Sequence, residues 1–284
     1  MTGLSKRITI KRIAVAIDCS PHSRASLSAA AEIAGFFNAE LLGIFVEDIN
    51  LIRTAELPFS QEIHLHTAQF EPLDSLKLER MLKQQAKEAY ELFKQTAERF
   101  DIPHTFKTLR GRVLAEVLSA ALDSDLLAMG RSGKTPLCRR GLGSTAKKAV
   151  RESKTHILLT RSGPTPVSPL LVVYDGSPGA KHALEAALGL ARRDAALHVF
   201  LVANKVQRHA ALQKEAEMII AKMIVKKQFH MLPWTDSGML AQCIHMAEPG
   251  LLVLSDNMAA LGPETVYRLI DATDYPVLLV RHAT

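Results

Sequence analysis

Aromatic side chains are scarce in this chain, at 5% of residues, so any core must be filled by aliphatic groups. Cysteine is scarcer still. Cys19, Cys138 and Cys243 lie far apart and form no CxxC pair, which argues against a disulfide framework and against a cysteine zinc site. No apolar run approaches the roughly 20 residues needed to cross a bilayer. The opening stretch, MTGLSKRITIKR, has no apolar signal core after its basic residues. The expectation is a cytoplasmic protein with no membrane partner. Several catalytic signatures are missing as well. There is no HExxH, no GxSxG and no GxGxxG at a strand–helix turn. Gly133-Lys134-Thr135 imitates the end of a Walker loop, but its leading glycine would fall on Ala128 and Pro136 follows too soon. His64 and His66, two histidines without a third ligand, make a poor zinc site.

What is present is enough for cores: 48% of the 284 residues are hydrophobic, and the length suits two domains of ordinary size. The net charge of +6 is spread along the chain. Its densest cluster, Arg139, Arg140, Lys147, Lys148 and Arg151, flanks a glycine-bearing loop. Phosphates of a nucleotide explain that cluster at least as well as nucleic acid does, so nucleic-acid binding is not expected.

Strand and helix patterns alternate from residue 10 onward. IKRIAVAID (10–18) reads as a buried strand ending in Asp18, and Ser20-Pro21 opens a helix to about Phe37. AELLGIFVED (39–48) is a second apolar strand. Residues 49–73 break the pattern and read as an ordered excursion with short helices beside a possible ligand site. Asp74 caps a long helix striped by Leu78, Leu82, Ala86, Ala89, Phe93, Ala97 and Phe100. HTFKTL, a helix from Gly111, LLAMG, a helix from Thr145 and THILLTR follow. The alternation predicts an α/β fold with a doubly wound parallel sheet.

SGPTPVSP (162–169) reads as a linker, and then the chain repeats itself. LLVVYDGSP matches RIAVAIDCSP, with Asp175 on Asp18 and Ser177 on Ser20, 157 positions apart. HILLTR recurs as PVLLVR, 120 positions on. The reading is two tandem domains, 1–161 and 170–284, joined by the linker. The second is shorter by the excursion and by part of the glycine loop. It has no counterparts of Gly130 and Gly133, and Glu264 would set negative charge where phosphate should sit. Met218, Met223, Met231, Met239 and Met246 read as core fillers.

The centre of the argument is residues 126–145, LLAMGRSGKTPLCRRGLGST. A strand, glycines at 130, 133 and 143, and hydroxyls at Ser144 and Thr145 precede a helix. Free N–H groups at a helix start attract anions. A plain glycine-rich turn is the competing reading. The spacing Gly-x2-Gly-x9-Gly-Ser resembles the nucleotide loop of the universal stress protein family, in its ATP-binding branch. That resemblance implies an adenine nucleotide α-hydrolase-like fold and an intramolecular pseudo-dimer joined through the last strands, with a homodimer also possible. It implies ATP, ADP or AMP in the first domain, with Asp18 near the nucleotide, adenine held by backbone at Val46, and Met129, Gly130, Gly133, Gly143, Ser144 and Thr145 around ribose and phosphates. Some members carry a histidine where this chain has Ser132. Arg131, Lys134, Arg139 and Arg140 are within reach of phosphates on this reading. Asp18 could also hold Mg²⁺, or simply end a strand and cap the next helix. The expected role is a nucleotide-binding regulator of the stress response with at most slow hydrolysis and unknown protein partners. A ligand-free scaffold is the alternative. An adenylating enzyme of the related fold is the third, but the loop it needs after the first strand reads Asp18-Cys19-Ser20-Pro21 here.

Overall fold

The computed structural model describes residues 9–64, 69–133, 141–163, 168–193, 195–203, 206–221, 223–233 and 237–281. Lys134, Cys138, Arg139, Arg140, His66 and Trp234 lie outside them. The chain begins with β1 (Arg12–Ala16), α1 (Pro21–Phe37) and β2 (Glu40–Asp48). The excursion follows as α2 (Ile49–Ala55), β3 (Gln61–His64) and β4 (Gln69–Pro72). Then come α3 (Ser75–Arg99), β5 (His104–Gly111), α4 (Val113–Ala120), β6 (Leu126–Gly130), α5 (Ser144–Glu152) and β7 (His156–Thr160). The remainder is β8 (Leu170–Tyr174), α6 (Pro178–Leu190), β9 (Ala196–Ala203), α7 (Val206–Ile220), β10 (Lys226–Pro233), α8 (Ser237–His245), β11 (Leu251–Ser255), α9 (Pro263–Ala272) and β12 (Val277–Val280).

The first helix of each half, α1 and α6, starts alike. Ser20 accepts from the Ser23 N–H at 3.1 Å, and Ser177 accepts from the Ala180 N–H at 3.2 Å, with proline next in both. Each serine satisfies one donor that the helix itself cannot. Small residues on α1, notably Ala29, Ala30, Ala31 and Ala34, are buried and bring the helix close to the sheet. Strand alternation divides the strand side chains between two layers. Ile13 and Val15 join the core under α1 and α3. Ala14, Leu42, Ile44 and Leu127 meet Val117 and Ala121 of the α4 segment on the other face.

Ten strands form one sheet in the order β10-β9-β8-β11-β12-β7-β6-β1-β2-β5. Each half has the same internal order, with its first strand central and its crossovers parallel, as in doubly wound α/β sheets. The halves meet where β7 and β12 pair antiparallel, Ile157 to Leu279 and Leu159 to Val277.

Two expectations need correction. Among its described residues the excursion contains one short helix, α2, and two antiparallel strands, β3 and β4, where short helices were expected. Of the five methionines read as core fillers, Met223 packs against the core, but Met218, Met231, Met239 and Met246 are exposed, on α7, the edge strand β10, α8 and just past α8.

Candidate functional site

A cleft of about 410 Å³ opens at the carboxyl ends of β1, β2 and β6. Asp18, Val46, Met129, Gly130, Gly133, Gly143, Ser144 and Thr145 all line it. Sequence positions more than a hundred apart thus share one wall.

Val46 owes its place to strand lengths. The Ile17 N–H donates to the Ile44 carbonyl at 2.9 Å, and β1 ends near that point while β2 runs on to Asp48. Alternate residues of a parallel strand turn both peptide groups to the same neighbour. Val46 therefore turns its N–H and C=O past the end of β1, toward the cleft. Ile44, Val113 and Val117 add an apolar floor beneath it. A flat heterocycle with hydrogen-bonding edges fits such a slot.

Asp18 does two things. One carboxylate oxygen accepts from the Ser20 N–H at 2.9 Å, which shapes the turn into α1. The other faces Gly133, where an added Cβ would lie 3.1 Å from it. Its counterpart Asp175 is fully committed. One oxygen accepts from the Ser177 N–H at 2.9 Å and from the Ser177 hydroxyl, the other from the Ala260 N–H at 2.6 Å. Beside it, Tyr174 is fully buried, and a Cβ on Gly176 would lie 2.6 Å from Leu212. The matching corner of the second half is filled by its own chain.

Gly143 is the N-cap of α5 and gives that helix no side-chain hydrogen bond. Its own N–H donates to the Arg131 carbonyl at 2.7 Å, which closes the loop. The following N–H groups, of Ser144, Thr145 and Ala146, have no acceptor within the helix, and all three residues line the cleft. Backbone donors and two hydroxyls thus converge on one space, opposite Gly133 and Asp18. An anion fits there.

Three readings from sequence change. Gly130 is a glycine because of α1: a Cβ there would lie 2.8 Å from the His22 Cβ. Arg131 is no free phosphate ligand. It is 3% exposed, and its guanidinium donates to the Ile270 carbonyl at 2.6 Å and to the Tyr275 carbonyl at 3.5 Å. Burial lowers its pKa to about 10, so it remains charged at neutral pH. Burial, with Arg161 nearby, also holds His22 below the ordinary imidazole range, and its Nδ1 accepts from the Ser162 N–H at 3.0 Å. Glu264, read as a repulsive charge in a second phosphate site, instead pairs with Arg151 at 3.1 Å.

Sequence reasoning missed Asp48, Leu51, Leu82 and Gln85, which roof the cleft from α2 and α3. The placement of the excursion directly after β2 was the available signal. Among the described residues no cluster of three or more His, Cys, Asp or Glu could hold a metal ion, and no helix is long and apolar enough to cross a membrane.

Comparison with known proteins agrees with this geometry. Residues 9–161 match the universal stress protein family. A universal stress protein of Methanocaldococcus jannaschii is 27% identical over 153 residues, covering 53% of this chain and 82% of that protein. The crystal structure of a universal stress protein from Archaeoglobus fulgidus superposes with a TM-score of 0.71 at 18% identity, covering 96% of this chain and 98% of the other. A putative universal stress protein from Pseudomonas aeruginosa gives a TM-score of 0.56 at 16% identity, over 96% and 93% of the two chains. The two superpositions speak for the fold. The family match spans more than half of the sequence and contains every residue of the cleft, and the chain belongs to the universal stress protein family.

Proposed function

We propose that the chain is a nucleotide-binding regulator of the stress response, built from two tandem universal stress protein domains (1–161 and 170–284) that form a pseudo-dimer within one chain. ATP, ADP or AMP occupies the first-domain cleft. The observation that carries this reading is the start of α5, whose unpaired N–H groups and Ser144 and Thr145 hydroxyls line the same cleft as Asp18 and Gly133. The peptide edge of Val46 supports an adenine slot. Asp18, with one oxygen facing Gly133, fits a Mg²⁺ shared with phosphate oxygens. When bound, that ion would neutralise phosphate charge. The committed Asp175 and the packed corner around Leu212 support a second domain that takes no nucleotide in this manner.

Binding, with at most slow hydrolysis, suits the side chains available. The carboxylates lining the cleft among the described residues are Asp18 and Asp48, and Asp48 is occupied in capping α2, accepting from the Asn50 N–H at 2.9 Å. With Asp18 taken by the metal on this reading, no carboxylate of the cleft is left as a dedicated base for water.

The test is Mg-ATP titration calorimetry on the intact chain and on Gly133→Val. The valine enters the cleft beside Asp18. Gly143→Val is a poorer choice, since its Cβ would meet Ser132 Cα at 3.3 Å and disturb the loop itself. We expect one site per chain, weakened at least tenfold in Gly133→Val with thermal stability retained. No binding by the intact chain would leave a ligand-free scaffold acting through protein partners.

A further inference from the structure

The two ends of the glycine loop are held by the other half of the molecule. At its start, the Arg131 guanidinium reaches the Ile270 and Tyr275 carbonyls. At its end, the Leu142 N–H donates to Asp271 Oδ1 at 2.6 Å. Asp271 Oδ2 lies 3.4 Å from the Lys147 ammonium on α5. Gly141, with φ +84, passes so close that a Cβ would lie 2.7 Å from Asp271 Oδ1, the oxygen that accepts from Leu142. All these partners sit at or just beyond the carboxyl end of α9. That end has no basic residue of its own, and Arg131 supplies the missing positive charge to its last carbonyls. Arg131 and Leu142 immediately bracket the stretch that carries Gly133, and Gly143 follows at once.

We infer that Asp271 is a positioning residue for the nucleotide loop, so that the second half sets the affinity of the first-half cleft without touching ligand. This inference rests on the proposed nucleotide binding. Holding Leu142 fixes Gly143 and therefore the direction of the unpaired α5 donors. A site whose donors are fixed in advance binds more tightly than one that must be ordered on binding.

The sign of the effect separates this role from simple charge. Asp271 is an anion near an anion site. If it acted only through its field, neutralising it would strengthen nucleotide binding. A positioning role predicts the reverse for Asp271→Ala and near-normal binding for Asp271→Asn, whose amide oxygen still accepts from Leu142. Glu264→Gln is the control, because the Arg151–Glu264 pair joins the same halves in an exposed place away from the loop.

The experiment measures Mg-ATP affinity of the intact chain and the three variants, with amide hydrogen exchange at residues 141–146 in the absence of nucleotide. We expect Asp271→Ala to bind at least tenfold more weakly and to exchange faster at Leu142, Gly143 and Ser144. Asp271→Asn should stay within about threefold of the intact chain, and Glu264→Gln should match it in both measurements. Equal or tighter binding by Asp271→Ala, or unchanged exchange, overturns the positioning role and leaves nucleotide binding standing. No binding by the intact chain overturns both.

Discussion

A single pair of residues shows how the two halves solve one packing problem in opposite ways. Where α1 crosses the end of β6, Gly130 makes room for His22. At the equivalent crossing in the second half the helix supplies the glycine, Gly179, and the strand carries Ser255. A Cβ on Gly179 would lie 2.6 Å from the Ser255 hydroxyl and closer still to the Asn257 carbonyl. The absence of a glycine opposite Gly130 in the repeat is thus a relocation. Gly130→Ser should destabilise the protein by about 2 kcal/mol through overpacking. In His22→Gly the same serine should be better tolerated, with a coupling of about 1 kcal/mol in a double-mutant cycle read by urea denaturation. Additive effects would mean the crossing can shift to admit both side chains. The sequence shows the glycine but not its partner, which lies 108 positions away, so motif spacing alone credits the ligand with a role that α1 already holds. Asp18 is the converse. Its turn-forming role was readable, because an aspartate two residues before Ser-Pro has local work to do, while the oxygen that faces Gly133 needed coordinates.

Elements were legible where one face is buried over several turns. The long helix α3 buries Leu78, Leu82, Ala89, Phe93 and Ala97 as its spacing predicts, with Ala86 partly buried, but Phe100, read as the last of the stripe, is the exposed C-cap; Asp74 caps the start, accepting from Leu76 and Lys77. Asp74→Ala should cost about 1 kcal/mol of stability, seen as a lower urea midpoint. Because Leu82 and Gln85 roof the cleft, the same change should modestly weaken nucleotide binding, which the calorimetric titration reads directly. The strand pair β3–β4 was not legible. Its strands have four residues each, too few to establish a period. Four of the five methionines failed for another reason: hydrophobic character does not say which side of an edge strand or a surface helix faces water. The start of α5 was readable as a helix end after glycines. That Gly143 leaves it uncapped needed coordinates.

At the scale of the molecule, the two halves share one strand order, β7-β6-β1-β2-β5 and β12-β11-β8-β9-β10, and the sequence matches between them stand at fixed offsets. The seam through the last strands was expected from the family resemblance, whereas the side-chain ties across it were not legible, since each joins residues more than a hundred positions apart. One of them is sensitive to acid. His156, at the start of β7, accepts from the Arg281 N–H through Nδ1 at 2.9 Å. Burial, reinforced by His182, lowers its pKa to about 4 from 6.5. The folded state therefore keeps His156 neutral while the unfolded chain takes up a proton. Its contribution is full above pH 6.5 and is lost progressively as pH falls toward 4, by about 3 kcal/mol at most. His156→Gln should flatten the stability profile over that interval in thermal melts. An unchanged profile would assign the acid sensitivity to other groups.

The clamp on the glycine loop also sets an order of events during synthesis. Arg131 leaves the ribosome long before its acceptor Ile270, 139 residues later in the chain. At typical elongation rates of roughly 5–20 residues per second, the first half waits on the order of ten seconds for those carbonyls and for Asp271. Until α9 has emerged and docked, the glycine loop of a nascent first half lacks Asp271 and the α9 carbonyls. If the inferred clamp sets the affinity of the cleft, nucleotide capture by the nascent first half is weaker than capture by the finished chain.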